Sequence, residues 1–320
     1  MDGAFPSITP YRSGFLATSD GARIHFEESG SPAGLPVVIV HGGPGSSTQP
    51  YRRRFFRPAV YRIIDFDQRG CGRSRPWGML LRNTTAHILD DMEALRAYLG
   101  IERWVVFGGS WGATLALCYA QRHPERARAL LTRGTLLGRE RDLEWFFGAR
   151  GVASILPEAY QRYLAPLPAA SRDWPVPAYL ERLTSNAPDV RAAAAAAWAH
   201  WEASVVSWRH NKDSACALEP SPRAQDPDRF AIAAMYAHNN FFLEPECGAL
   251  HVTQRLNNVP GFIIHGRLDL VCPVENATTL HQAWPNAKLK VIEESGHLDS
   301  EPSMVASLVA ASEAIAQGAG

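Results

Sequence analysis

Val37-Val38-Ile39-Val40 is an unbroken β-branched run with no polar alternation, and this pattern constrains the fold more than any other feature of the chain. A strand with one wet face alternates apolar and polar residues. A strand that is apolar at every position has both faces covered, as in parallel sheets packed between helices. Arg62 to Asp67, Trp104 to Phe107, Ala129 to Thr132 and Phe262 to His265 read the same way, and the alternating Lys288 to Ile292 fits an outer strand. Helical stretches separate these runs. In Thr84 to Leu99, for instance, Ile88, Leu89, Met92, Leu95 and Leu99 keep the three-and-four spacing of one apolar face. Parallel neighbours need crossover connections, usually helices, so the alternation predicts an α/β fold with a mostly parallel sheet covered on both sides. Near the start, Phe15 to Ser19 and Ala22 to Glu28 flank Asp20-Gly21, the turn chemistry of an antiparallel hairpin.

From about Gly138 to Glu244 the strand signals stop and aromatic, Ala-rich helical sequence replaces them, as in Arg191 to Ser204. We therefore expect a sheet core from residues 1–137 and 245–320 with a helical cap, 138–244, inserted between its halves. Pro220 to Pro227 reads as an exposed loop within the cap. The 32 basic and 32 acidic residues cancel, leaving no global field to gather nucleic acid or anionic lipid. No apolar run approaches the 18 residues of a transmembrane helix. The opening Met1 to Pro6 lacks the basic start and apolar stretch of a secretory signal. Cys71, Cys118, Cys216, Cys247 and Cys272 are odd in number, scattered and without a C-x-x-C pair. They predict reduced thiols in a cytoplasmic protein, not a disulfide framework or a zinc site. Oligomeric state has no signal in the sequence.

Gly108-Gly109-Ser110-Trp111-Gly112 fits G-x-S-x-G between a buried strand and the helix-forming Ala113 to Ala120. A nucleophile on a tight strand-to-helix turn needs neighbours without bulk, and the helix N-terminus helps stabilise a nearby anion. A serine hydroxyl is a weak nucleophile and needs a base, which in turn needs an orienting carboxylate. Asp269 follows the strand ending at His265, and His297 follows the strand ending at Ile292. Singly, such residues more often cap turns. Together, in the order Ser, Asp, His, each just past a strand end, they have the arrangement of α/β-hydrolases. His41-Gly42-Gly43-Pro44-Gly45 leaves the first buried strand as an open backbone, so the N–H groups of Gly43 and Trp111 are candidate oxyanion donors.

These motifs, with Asp67-Gln68-Arg69-Gly70-Cys71-Gly72-Arg73-Ser74, Asn83-Thr84-Thr85 and His265-Gly266-Arg267, resemble the prolyl aminopeptidases (proline iminopeptidases), serine peptidases of the α/β-hydrolase superfamily. The likeness runs from about residue 10 to 305. It implies Ser110 as nucleophile, His297 as base, Asp269 as orienter, and a helical cap over the site. It also implies that Glu202, in Trp201-Glu202, holds the substrate amino group and that Arg133 is a pocket arginine. The family's second glutamate, in I-E-N-H-Y-F, corresponds to His238 in Ala237-His238-Asn239-Asn240-Phe241-Phe242, while Leu136 and Phe147 stand where Phe and Tyr are common. The implied activity is acyl-enzyme hydrolysis of a small amide, releasing N-terminal proline from a short peptide. The alternative is a related amino-acid amidase or esterase with altered amine recognition. A Ser/His/Asp mechanism requires no metal or cofactor, and no ligand spacing signals one. Cys272, three residues past Asp269, is expected near the site but not in the chemistry.

Overall fold

The computed structural model describes residues 3–209, 226–243, 255–256 and 258–318. Cys216, Cys247, the boundary at 244 to 245 and most of the loop expected at Pro220 to Pro227 lie outside them. Among the described residues eight strands form one sheet: β1 (Arg12–Ala17), β2 (Arg23–Gly30), β3 (Leu35–Val40), β4 (Tyr61–Phe66), β5 (Trp104–Gly109), β6 (Ala127–Arg133), β7 (Gly261–Gly266) and β8 (Ala287–Ile292). Their order is β1-β2-β4-β3-β5-β6-β7-β8. β1 and β2 form the antiparallel hairpin, β2 meets β4 antiparallel, and every later pairing is parallel.

Alternate residues of the central strands feed two separate cores. Val38, Val40 and Val106 point into one with Leu89, Met92 and Leu95 of α1 (Thr85–Tyr98) and Leu115 of α2 (Trp111–Arg122). Val37, Ile39, Val105 and Phe107 point into the other. That face is completed by α9 (Pro302–Gln317), which presents Met304, Val305, Leu308 and Ile315. Hence these strands carry apolar residues at every position. β8, at the sheet edge, buries only its ends fully, which accounts for its alternating sequence.

Between β6 and β7 lie α3 (Glu140–Phe147), α4 (Pro157–Leu164), α5 (Val176–Leu183), α6 (Pro188–Val206) and α7 (Pro227–His238); α8 (Val274–Ala283) follows β7. α6 buries Ala194, Ala195, Trp198, Trp201 and Val205 on one stripe. The two tryptophans pack with Tyr160, Tyr163 and Tyr179, and the last two stack at 4.5 Å. Each aromatic pair of this kind adds about 0.5–1.5 kcal/mol beyond its buried area. Among the described residues no helix is long and apolar enough to cross a membrane.

The chain winds outward from β3 to β4 and returns to place β5 on the other side of β3. Such a reversal leaves a crevice beyond the carboxyl ends of the adjacent strands, the usual ligand position in open α/β sheets.

Candidate active site

At that crevice Ser110 joins β5 to α2 with φ 57° and ψ −124°, a left-handed conformation costing a non-glycine residue about 1–3 kcal/mol. The surroundings hold it there. Its N–H donates to the Arg133 carbonyl at 2.8 Å, and its own carbonyl accepts from Ala113 N–H at 2.9 Å. Glycines permit the close approach. A Cβ on Gly108 would overlap the Gly112 carbonyl, and one on Gly112 would overlap the Val40 carbonyl.

His297 Nδ1 lies 2.7 Å from Asp269 Oδ2. Asp269 Oδ1 accepts the backbone N–H groups of Val271 and Cys272, each at 2.9 Å. Burial would raise the Asp269 carboxyl, but the His297 ring and its hydrogen bond hold it below the ordinary carboxylate range. The carboxylate therefore stays ionised, and its acceptor fixes the proton of neutral His297 on Nδ1, leaving the Nε2 lone pair available as a base. Gly134 backs the pair: a Cβ there would sit 3.3 Å from Asp269 Oδ2 and 3.2 Å from His297 Cε1. Beneath it, His265 accepts Thr135 N–H on Nδ1 at 3.1 Å and donates from Nε2 to the Cys272 carbonyl at 2.8 Å. This pins the turn that carries Asp269.

The loop after β3 is tied down through His41. Gln68 N–H donates to His41 Nε2 at 3.0 Å, so the proton rests on Nδ1, which donates to the Gly42 carbonyl at 2.9 Å. The Gln68 side chain donates to the His41 carbonyl at 2.7 Å and accepts the Trp111 indole N–H at 3.2 Å. One glutamine thus links the two segments bearing the candidate donors. Gly43 lines the crevice. Trp111 opens α2, where the first backbone N–H groups have no intrahelical partner.

Burial lowers the pKa of His41 from 6.5 to about 4. Between those values the unfolded chain binds the proton that the folded chain refuses, so stability falls as pH drops through that window. The loss from this residue amounts to about 3 kcal/mol in all. Urea midpoints at pH 7 and pH 5 test it: the decline in wild type is expected to be shallower in His41→Asn. Equal slopes would contradict the assignment.

A cavity of about 270 Å³ joins these groups, lined by Ser110, His297, Gly42 and Gly43 from the sheet side and by Phe146, Trp198 and Glu202 from α3 and α6. Leu136 and Phe147 also line it. Glu202 accepts from Arg229 Nη2 at 2.6 Å. Arg133 reaches the wall, but its side chain is only 4% exposed. Its Nη1 donates to the His297 carbonyl at 2.6 Å and its Nη2 to Asp299 at 3.3 Å, so it braces the His297 loop.

His238 is placed differently from the expected pocket position. It is exposed at the C-terminal end of α7, while Ala233 and Ala237 face the cavity. One residue onward is about 100° around a helix, which turns His238 away. The structure also adds residues that carry no motif. Arg52 and Asp299 line the cavity, and Asp299 accepts from Arg52 Nε at 2.8 Å and from the Tyr51 hydroxyl. Among the described residues no group of three or more His, Cys, Asp or Glu side chains could hold a metal ion.

Residues 36–302 match the family model of the alpha/beta hydrolase fold. A proline iminopeptidase from Xylella fastidiosa is 43% identical over 314 residues, covering 97% of this chain and 98% of that protein. The proline iminopeptidase of Xanthomonas citri is 41% identical, covering 98% and 99% of the two chains. That of Arabidopsis thaliana is also 41% identical, covering 97% and 81%. Among solved structures, one from a study of carboxylesterases of Nitrososphaera gargenis superposes with TM-score 0.60 at 19% identity, covering 96% of this chain and all of that one. One from a study of epoxide hydrolases in metagenomes from hot environments reaches 0.61 at 17%, covering 95% and 99%. These distant likenesses speak to the fold alone, whereas the full-length relatives speak to the family: the chain belongs to the α/β-hydrolases and, within them, to the proline iminopeptidases.

Proposed function

We propose that the protein is a serine aminopeptidase that releases N-terminal proline from short peptides through an acyl-enzyme. The observation that carries this reading is His297, paired with Asp269 at 2.7 Å, lining the same cavity as a strained, turn-borne Ser110. Ser110 Oγ attacks the carbonyl as His297 Nε2 takes its proton. His297 then gives that proton to the departing amine, and a water repeats the sequence to free the acid. The Gly43 and Trp111 N–H groups receive the developing oxyanion, a contribution of about 2.7–4 kcal/mol per donor.

Residues 138–244 act as a cap whose aromatic side chains exclude water, and Glu202 pairs with the substrate ammonium. Arg133 contributes by holding the His297 loop. Cys71 and Cys272 are free and buried, which supports a reducing, cytoplasmic setting.

A second reading, an amino-acid amidase or esterase, draws on two observations. Glu202 is already paired with Arg229, and His238 lies outside the cavity. Comparing kcat/KM for proline-β-naphthylamide, its alanine analogue, an N-acetylated proline analogue and a short p-nitrophenyl ester separates the two. Strong preference for the free proline amide is expected, and preference for the ester would overturn the first reading. In Glu202→Gln the preference for free over acetylated amine is expected to fall about tenfold or more, the worth of one charge-assisted hydrogen bond. An unchanged ratio would remove Glu202 from amine recognition.

A further inference from the structure

The cavity wall carries charges whose partners can be followed one by one. Glu202 has Arg229. Asp142 has Arg139, at 3.0 Å. Asp269 has His297. Asp299 is shared by two guanidinium groups, Arg52 at 2.8 Å and Arg133 at 3.3 Å, and by the Tyr51 hydroxyl. Two guanidinium groups thus share one carboxylate at this corner, and a further carboxylate entering the cavity would meet arginine donors there.

The two arginines are not equivalent. Arg133 gives Nη1 to the His297 carbonyl and Nη2 to Asp299. Arg52 gives Nε to Asp299, and its side chain, 13% exposed, borders the cavity. Its planar guanidinium, which also meets the Tyr51 hydroxyl, has the fork that suits a carboxylate.

Its position in the sequence of chemical steps follows from its neighbours. Asp299, which fixes Arg52, stands two residues past His297, the group that returns a proton to the departing amine. Glu202, the proposed amine anchor, belongs to α6. A peptide held with its ammonium at Glu202 and its scissile carbonyl at Ser110 therefore sends its leaving residue past His297 toward Arg52. One residue spans about 3.3–3.6 Å, so a carboxylate on that first leaving residue is the nearest anion a substrate can supply.

We propose that Arg52 binds the carboxylate of the leaving residue, making the preferred substrates dipeptides with a free C-terminus or short peptides with an acidic residue after the cleaved bond. This rests on the aminopeptidase reading above. It adds a charge requirement that the proline iminopeptidase family name does not contain.

The test is kcat/KM at pH 7.5 for Pro-Ala, Pro-Ala-amide and Pro-Asp-amide, with proline-β-naphthylamide as the uncharged reference. Wild type is expected to favour Pro-Ala over Pro-Ala-amide by about tenfold, one charge-assisted hydrogen bond, although alaninamide is the less basic leaving amine. The advantage is expected to shrink between 0.05 and 0.5 M NaCl, to approach one in Arg52→Gln, and to survive partly in Arg52→Lys. An equal advantage for Pro-Asp-amide assigns recognition to any carboxylate on that residue, and an advantage for Pro-Ala alone assigns it to the chain terminus. Equal rates for acid and amide in wild type overturn the proposal, as does an unchanged ratio in folded Arg52→Gln. Should Arg52→Gln fail to fold, the wild-type ratio and its salt dependence decide. Failure to cleave even the naphthylamide would instead remove the aminopeptidase reading itself.

Discussion

Ser110→Ala is expected to lower kcat by roughly 10⁵- to 10⁶-fold while the protein remains folded, because no other group in the cavity replaces the attacking oxygen. Alanine keeps the Cβ and removes only Oγ, so the backbone bonds to Arg133 and Ala113 persist. Asp269→Asn is expected to cost about 10⁴-fold by a different route. Its carbonyl can still accept from Val271 and Cys272, but its amide then faces His297 Nδ1 as a donor. The ring is forced to place its proton on Nε2, where a base is needed. Single-turnover rates with proline-β-naphthylamide measure both losses. Ser110→Ala retaining more than about one part in a hundred of wild-type activity would show that the nucleophile lies elsewhere.

Gly112→Ala is expected to cost at least about 4 kcal/mol in stability, the range of substitutions that force backbone apart in a packed interior. The added methyl would overlap the Val40 carbonyl, and β3 cannot retreat because it pairs with both β4 and β5. Gly100, where φ is 64° and nothing lies within 4 Å of an added Cβ, provides the comparison. Gly100→Ala is expected to cost about 1–2 kcal/mol, the left-handed conformation alone. Urea midpoints distinguish the two, and equal losses would show that crowding at the turn contributes little.

The eight strands were legible because each central one is enclosed on both faces and so carries the β-branched run that no wet-faced strand can. The alternation of Lys288 to Ile292 marked an edge for the opposite reason. Ser110, Asp269 and His297 stood out as short patterns at strand ends, and the structure sets Ser110 and His297 on one cavity with Asp269 2.7 Å from the His297 ring. Position along the chain is not rotation about a helix, however. His238 matches a family motif in register yet emerges on the exposed side of α7, with Ala237 facing inward. Arg52 and Asp299 left no trace at all, since 247 residues separate them and neither belongs to a local pattern. The Glu202–Arg229 pair is hidden similarly: it joins two helices across 27 residues.

β6 and β7 are adjacent in the sheet although the residues they bring together, Thr132 and Phe262, are 130 positions apart. During synthesis, Ser110 and both candidate oxyanion segments leave the ribosome with more than half the chain still to be made. Asp269 and His297 arrive last, on turns that take shape only when the final two strands add to the sheet edge. The order of translation thus keeps the proposed nucleophile without its proposed base until β7 and β8 have been made.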